Sequence, residues 1–183
     1  MSDLLKARPI AHAQAAAAET RLILCPPGVA QATKEFAIPD VHIGADEAAS
    51  PTIEVFPDIY VRFLSFDVRS NAFSNITMVP KGGIIGRHRH RGSVIGVVLE
   101  GSWRYLEYDW VARPGSFVRE SPGVIHTLEA GPGMKTYFAI NGTLEYFDAD
   151  DNLVQVQDVF WAIDCYLTHC RKHGIPKNDA LFV

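Results

Sequence analysis

From Ile59 to Asn152 the sequence is a rapid succession of short segments rich in β-branched and aromatic residues, each closed by Gly, Pro, Asn or Asp. The segments are IYVRFLSFDV, AFSNITMV, VIGVVLEG, SWRYLEY, GSFVRESPG, KTYFAING and TLEYFDADDN. Short strands at this spacing are typical of an antiparallel sandwich or barrel. No helical pattern separates them, which argues against a parallel βαβ fold. We therefore predict an all-β domain.

The flanks of this region follow other patterns. Residues 1–50 contain the breakers CPPG and IPD, and we predict an arm of irregular structure, in which AHAQAAAAET is either a short helix or a loose segment. Beyond residue 157, apolar positions at helical spacing predict a helix with Asp158 as N-cap and Gly174 as C-cap. The predicted organisation is an arm (1–50), a barrel (51–157), and a C-terminal helix and tail (158–183).

Bulk properties exclude several classes of partner. The net charge of -4, from 17 Lys+Arg against 21 Asp+Glu, argues against nucleic acid. The cysteines Cys25, Cys165 and Cys170 are odd in number and form no CxxC pair, so we expect no disulfide framework and a cytoplasmic location. The sequence has no signal-peptide pattern and no apolar run long enough for a membrane span.

The stretch GRHRHRG, residues 86–92, alternates histidine and arginine. Successive side chains of a strand point to opposite faces, so His88 and His90 share one face and the three arginines share the other. The histidines then face the interior as candidate metal ligands, and His126 is a third candidate after a later turn. The arginines form an ordinary solvated row, which also discourages pairing between sheet edges.

The remaining four histidines are weaker candidates. His12 and His42 fall in the irregular N-terminal region. His169 and His173 lie four residues apart on the predicted helix, but no glutamate stands between them in the HExxH manner and the helix end is basic. We predict that this pair lies on the surface.

Two motifs resemble those of the cupin superfamily. The first is matched by Gly82, His88, His90 and Gly101, and the second by Gly115, Gly123 and His126. Val94 stands where the first motif has a glutamate, and Ser121 stands where the second has a proline. The resemblance implies a double-stranded β-helix, which is a jelly-roll-like barrel.

The segment HRHRGSVIGVVLEGSWRYLEYDWVARPGSFVRESPGVIHTL more closely resembles the 2,4'-dihydroxyacetophenone dioxygenase group and its ChrR-type relatives. The resemblance implies that His88, His90 and His126 hold one divalent metal, with Fe(II) expected and Zn or Ni as alternatives. It implies a dioxygenase that cleaves a carbon–carbon bond of an aryl hydroxyketone-like substrate with O₂. The alternative is a Zn-binding sensor or a ligand-binding module without oxygenase activity.

The absence of the motif glutamate leaves a neutral ligand set with open positions, which suits catalysis. Val94, Gly96 and Val98 share one strand face, and Phe138 lies on a neighbouring strand. We expect these four residues to line an apolar pocket for a small aromatic or enolisable substrate.

The sequence identifies no catalytic residue. Glu100, Glu107 and Glu120 are the nearest carboxylates, and of these Glu100 precedes a turn and is expected at the surface. We also expect a homodimer, the commonest closed assembly.

Overall fold

The computed structural model describes residues 40–183 and the isolated positions 28, 31, 34, 35 and 37. The chain divides into two units, residues 1–40 and 41–183, and the fold below is that of the second. The alanine-rich segment, His12 and Cys25 lie outside the described residues. No helix in the part of the chain that the structure describes is both long and apolar enough to cross a membrane.

The described residues form two antiparallel sheets, which confirms the all-β prediction. In order, the strands are β1 (Thr52–Phe56), β2 (Ile59–Asp67), β3 (Ala72–Val79), β4 (Gly83–His90), β5 (Val94–Glu100), β6 (Trp103–Tyr105), β7 (Phe117–Glu120), β8 (Ile125–Ala130), β9 (Met134–Asn141), β10 (Leu144–Phe147) and β11 (Leu153–Gln157). One sheet has the order β1-β2-β3-β9-β5-β7, and the other has the order β11-β10-β4-β8-β6.

Alternation along the strands builds the core between the two sheets. Strand β9 shows this most regularly, because Met134, Thr136, Phe138 and Ile140 are buried while the residues between them are partly exposed. Such a period of two is what a sheet with one covered face requires. The buried apolar side chains of both sheets form one contiguous cluster.

The predicted C-terminal helix, α1, runs from Val159 to His173. Its N-cap is Asp158, whose Oδ1 accepts a hydrogen bond from Trp161 N at 2.9 Å. It ends at Gly174, which has the left-handed backbone conformation (φ 65°) that glycine adopts at low cost. The helix packs against β1, β2, β3 and β11 of its own chain. A short 3₁₀ helix, Asp179–Leu181, follows it.

Arg87 and Arg89 lie on the outer face of β4, Arg91 follows the strand, and all three pair with carboxylates. Arg89 Nε and Arg91 Nε donate to the two carboxylate oxygens of Glu145 at 2.6 and 2.8 Å. Arg87 pairs with Asp151 at 2.7 Å. Because β10 carries Glu145 beside β4, the sheet itself neutralises much of this positive charge.

Candidate metal centre

Three histidines from two neighbouring strands meet between the sheets. His88 and His90 come from β4 and His126 from β8, and the register places His88 directly opposite His126. All three side chains are buried. One ring nitrogen of each lies within 4.8 Å of the others. The structure thus brings together the three residues that the sequence analysis named as metal ligands.

A backbone carbonyl fixes the orientation of the His88 ring. His88 Nδ1 lies 3.1 Å from the carbonyl oxygen of Gly86. A carbonyl only accepts hydrogen bonds, so Nδ1 carries the proton and Nε2 keeps its lone pair. This arrangement is common among metal-binding histidines, in which the second ring nitrogen donates to a carbonyl or carboxylate.

Burial keeps two histidines of the cluster, His88 and His126, uncharged at neutral pH. It lowers the pKa of His88 to about 3, and the neighbouring His90 and His126 lower it further. Burial also lowers the pKa of His126 to about 4, although Glu120 opposes this effect. A metal competes with protons for imidazole lone pairs, so neutral rings are ready to bind one.

The unpaired nitrogens of the cluster fit a bound cation. His90 Nδ1 and His126 Nε2 are buried, and neither has a hydrogen-bond partner among the described residues. Buried polar atoms in proteins are usually paired, because leaving one unpaired is costly. Three neutral imidazoles are a donor set that suits Fe, Zn, Ni or Cu. The residues present therefore fit a divalent transition metal.

Glu120, at the end of β7, places a carboxylate beside this cluster. Its Oε2 lies 3.1 Å from His90 Nε2 and 3.6 Å from His126 Nε2. Neither contact meets the criteria for a hydrogen bond, so both carboxylate oxygens are unpaired within the described region. Burial raises the pKa of this carboxyl, but the neighbouring His90 and Tyr105 outweigh that effect and hold the pKa below its usual value. Glu120 is therefore ionised.

Two tyrosines pack against the histidine rings. The Tyr105 ring stacks on His126, with ring centroids 3.7 Å apart and planes 9° apart. Burial and the adjacent Glu120 raise the pKa of Tyr105 well above its usual value, so its hydroxyl stays protonated. The Tyr146 ring lies 5.4 Å from the His88 ring. These contacts fix the rotamers of two of the three ligands.

A cavity that is partly open to solvent extends from His88 and His90 between the sheets. Most of its lining is apolar and includes three aromatic rings. Among them, Phe56 packs on both Trp161 and Tyr146, with ring centroids 6.5 Å apart in each pair. The polar lining residues are His88, His90, Tyr105, Glu120, Asn75, Thr77, Tyr146 and Gln157. No Lys, Arg or Asp is among the described lining residues.

The four residues expected in the pocket divide into two groups. Phe138 lines the cavity, whereas Val94, Gly96 and Val98 are buried in the wall and do not line it. At Gly96 the reason is direct, because an added Cβ would lie 3.0 Å from the Phe138 ring. Phe138 thus covers that position. The register places Val94 beside Glu120 and Ile140, and these longer side chains reach the cavity instead.

The other candidates of the sequence analysis lie elsewhere. His42 is exposed, and His169 and His173 contact each other on α1, with ring centroids 4.4 Å apart, outside the three-histidine cluster. Among the carboxylates, Glu100 pairs with Lys135 at the surface. Glu107 is also exposed and accepts a hydrogen bond from a backbone N–H.

The sequence alone left open which carboxylate serves the site, and no sequence pattern pointed to Asn75 or Gln157. Glu120 could have been identified as the carboxylate of the site only if the pairing of β5 with β7 had been known. That pairing spans β6, which belongs to the other sheet, so sequence spacing does not reveal it.

Comparison with known proteins shows the family. A model described as the ChrR cupin-like domain matches residues 40–146. An RmlC-like cupin protein from Ralstonia eutropha is 33% identical with a TM-score of 0.71, and the match covers 76% of this chain and 94% of that one. A search of the curated proteins found no match.

Two more distant structures share the fold alone. A protein of unknown function with a cupin-like fold, also from Ralstonia eutropha, is 18% identical with a TM-score of 0.68, covering 81% of this chain and 94% of that one. An acetylacetone dioxygenase from Acinetobacter johnsonii is 16% identical with a TM-score of 0.64, covering 72% and 93%. The expected cupin barrel is confirmed. By its family match and its 33% identity to a solved cupin, the chain belongs to the ChrR cupin-like domain family.

Proposed function

We propose that this chain is a non-haem Fe(II) dioxygenase, with His88, His90 and His126 as the metal ligands. Its substrate is an aryl hydroxyketone or a similarly enolisable aromatic compound. The observation that carries the proposal is the position of the three-histidine cluster at a mainly apolar cavity, which His88 and His90 line. The acetylacetone dioxygenase with the same fold supports it as a precedent for oxygenase chemistry in this barrel.

The proposed reaction breaks the bond between the carbonyl carbon and the hydroxymethyl carbon. Both atoms of O₂ enter the products, an aromatic acid and formic acid, so that atoms and electrons balance. When bound, iron supplies O₂ activation and binds the substrate oxygens. The apolar lining packs the aromatic ring and excludes water.

Within this proposal, Glu120 accepts a proton from the substrate. It is the carboxylate among the described lining residues, and it lies beside His90 and His126. Because it is ionised, it serves as a base toward the hydroxyl or the adjacent carbon of a hydroxyketone. Tyr105, which stays protonated, lies beside this carboxylate.

An oxygen-uptake assay tests the proposal. Iron-loaded protein is incubated in air with aryl hydroxyketones and β-diketones, and the products are identified by mass spectrometry. We expect one O₂ consumed per substrate molecule and two acids formed from a hydroxyketone. Iron-loaded protein that consumes no O₂ with any member of either class contradicts the dioxygenase proposal.

Single alanine variants test the ligand assignment. His88→Ala, His90→Ala and His126→Ala should each lose stoichiometric iron, as measured by elemental analysis. The matched control, His169→Ala, removes a histidine outside the cluster and should keep full occupancy. If all three cluster variants retain full occupancy, the ligand assignment is wrong.

The family match also favours a second candidate, a Zn-binding sensor without oxygenase activity. The same neutral ligand set holds Zn as readily as Fe. Purified protein that retains stoichiometric zinc, gains no O₂ uptake on iron loading and still binds small aromatic ligands would establish this alternative.

A further inference from the structure

Gln157 is a buried side chain of the cavity with an unused hydrogen-bond donor. It is the last residue of β11, it is 4% exposed, and it lines the cavity. Its Nε2 has no hydrogen-bond partner in the described part of the chain. A buried amide donor without an acceptor is unfavourable, so this group points to a ligand atom that completes it.

His90 and Glu120 also line the cavity with unpaired polar atoms, but they belong to the metal centre; the other polar groups of the described core are either paired or outside the cavity lining. Asn75 also lines the cavity, but its Oδ1 accepts a hydrogen bond from Thr77 Oγ1 at 2.8 Å. Trp103 Nε1 and Thr136 Oγ1 are unpaired too, but they do not line the cavity. Gln157 has an unpaired polar atom and also lines the cavity, at the end that β11 forms.

The sheet register places Gln157 relative to the metal centre. Leu144 of β10 pairs with His90 of β4 on one side and with Gln157 of β11 on the other. Directly paired residues point to the same face of a sheet, and all three are buried. Two strand spacings separate the Cα atoms of His90 and Gln157 by about 10 Å. Leu144 forms the apolar floor between them.

The lining between these two ends limits the charge of the ligand. It contains Phe138, Ile140 and Leu144, and the described lining has no Lys or Arg to neutralise an anion near Gln157. Burying an unpaired charge is far more costly than burying a neutral polar group. The group that meets Gln157 is therefore uncharged.

We propose that Gln157 is a specificity-determining residue, which donates from Nε2 to a neutral oxygen on the end of the substrate remote from the metal. Within the substrate class of the proposed function, this favours compounds with a neutral hydrogen-bond acceptor, for which a hydroxyl serves as the probe, at the end remote from the metal. This inference rests on the proposed function, because it assumes that the metal-binding end of the substrate lies at the three histidines.

Binding of a para-substituted series tests the role of Gln157. The probes are phenacyl alcohols that carry a para hydroxyl, methyl or carboxylate group, and the protein is loaded with Ni(II) so that turnover does not interfere. Isothermal titration calorimetry should show the hydroxyl probe binding on the order of tenfold more tightly than the methyl probe, as expected for one buried hydrogen bond. The carboxylate probe should bind most weakly.

Substitution of Gln157 should remove the preference for the hydroxyl probe over the methyl probe without weakening binding in general. Gln157→Leu should bind the hydroxyl and methyl probes with affinities within about twofold of each other, while keeping wild-type affinity for the methyl probe. Gln157→Met is the second variant, used if the leucine variant does not fold. The matched control is Gln155→Leu, on the same strand but outside the cavity lining, which should discriminate as the wild type does.

The outcomes separate the two proposals. If wild-type protein binds the probes but does not prefer the hydroxyl, or if Gln157→Leu weakens both probes equally, Gln157 is structural and this inference is overturned. If the metal-loaded wild type binds none of the probes, the proposed function fails and this inference fails with it.

Discussion

Glu120 and Val94 occupy paired positions on β7 and β5, so both point to the interior of the barrel. The cupin resemblance expects a glutamate at the position of Val94. In this chain the carboxylate approaches the histidines from the neighbouring strand instead. The interior therefore keeps a carboxylate near the three imidazoles, while the valine takes part in the packing of the wall.

Replacement of Glu120 by glutamine tests its role as a base. Glu120→Gln keeps the size of the side chain but removes its proton affinity, so turnover should fall by about 10²-fold or more while iron occupancy stays unchanged. Glu107→Gln, at an exposed carboxylate, is the control and should retain full activity. Unchanged turnover in Glu120→Gln would show that the base lies elsewhere.

The buried histidines predict how stability depends on pH. The pKa values of about 3 for His88 and about 4 for His126 lie below the ordinary value of about 6.5. Between the folded and unfolded pKa values, the unfolded protein therefore binds more protons than the folded protein. The free energy of unfolding of metal-free protein should therefore decrease as the pH falls from 7 toward 4. Urea titrations at several pH values measure this. His88→Gln should reduce the slope, and an unchanged slope would contradict the prediction.

At the level of secondary-structure elements, features that depend on neighbouring residues could be predicted from the sequence, whereas strand pairing could not. The direction of His88 and His90 followed from alternation, and the ends of α1 followed from Asp158 and Gly174, since each depends on only a few neighbouring residues. The pairing of β5 with β7 depends on how distant segments meet. For that reason the sequence predicted Val94 in the pocket and did not single out Glu120 among the three candidate carboxylates.

The N-cap of α1 also supports the cavity. Asp158 lies directly after Gln157 and caps the helix through Trp161 N, and both of these neighbours line the cavity. Asp158→Ala should cost about 1 kcal/mol of stability, as typical for loss of an N-cap, and should weaken binding of the hydroxyl probe. Urea unfolding and calorimetry measure the two effects. Asp164→Ala, in the exposed middle of the helix, is the control; an equal loss there would refute the capping argument.

Considered as a whole, the molecule divides its candidate site between two sheets. The histidines belong to the sheet that contains β4 and β8, whereas Glu120 and Phe138 belong to the other sheet. The cupin resemblance anticipated this barrel and the histidine cluster. The distal end of the cavity, at Gln157, lies outside both motifs, so motif spacing held no information about it.

The homodimer stays a prediction, and an exposed apolar edge of the molecule is where we expect its interface. Strand β11 is an edge strand, and Leu153, Val154, Val156 and the nearby Phe160 are exposed apolar residues. We predict a species of about 40 kDa, twice the 20.2 kDa chain, in sedimentation at micromolar concentration. Val154→Lys should shift the protein toward the monomer by introducing charge at this edge. A wild-type species of only about 20 kDa would exclude the dimer.

The alternation within GRHRHRG has a consequence for how this segment tolerates change over evolution. Replacing an arginine alters one outward charge, and Glu145 or Asp151 loses a partner. Inserting or deleting one residue between His88 and His90 would instead turn one histidine to the outside and bring an arginine toward the other histidines, because the side-chain period is two. Related proteins that keep the metal centre should therefore show substitutions at the arginine positions, but no insertion or deletion between the two histidines.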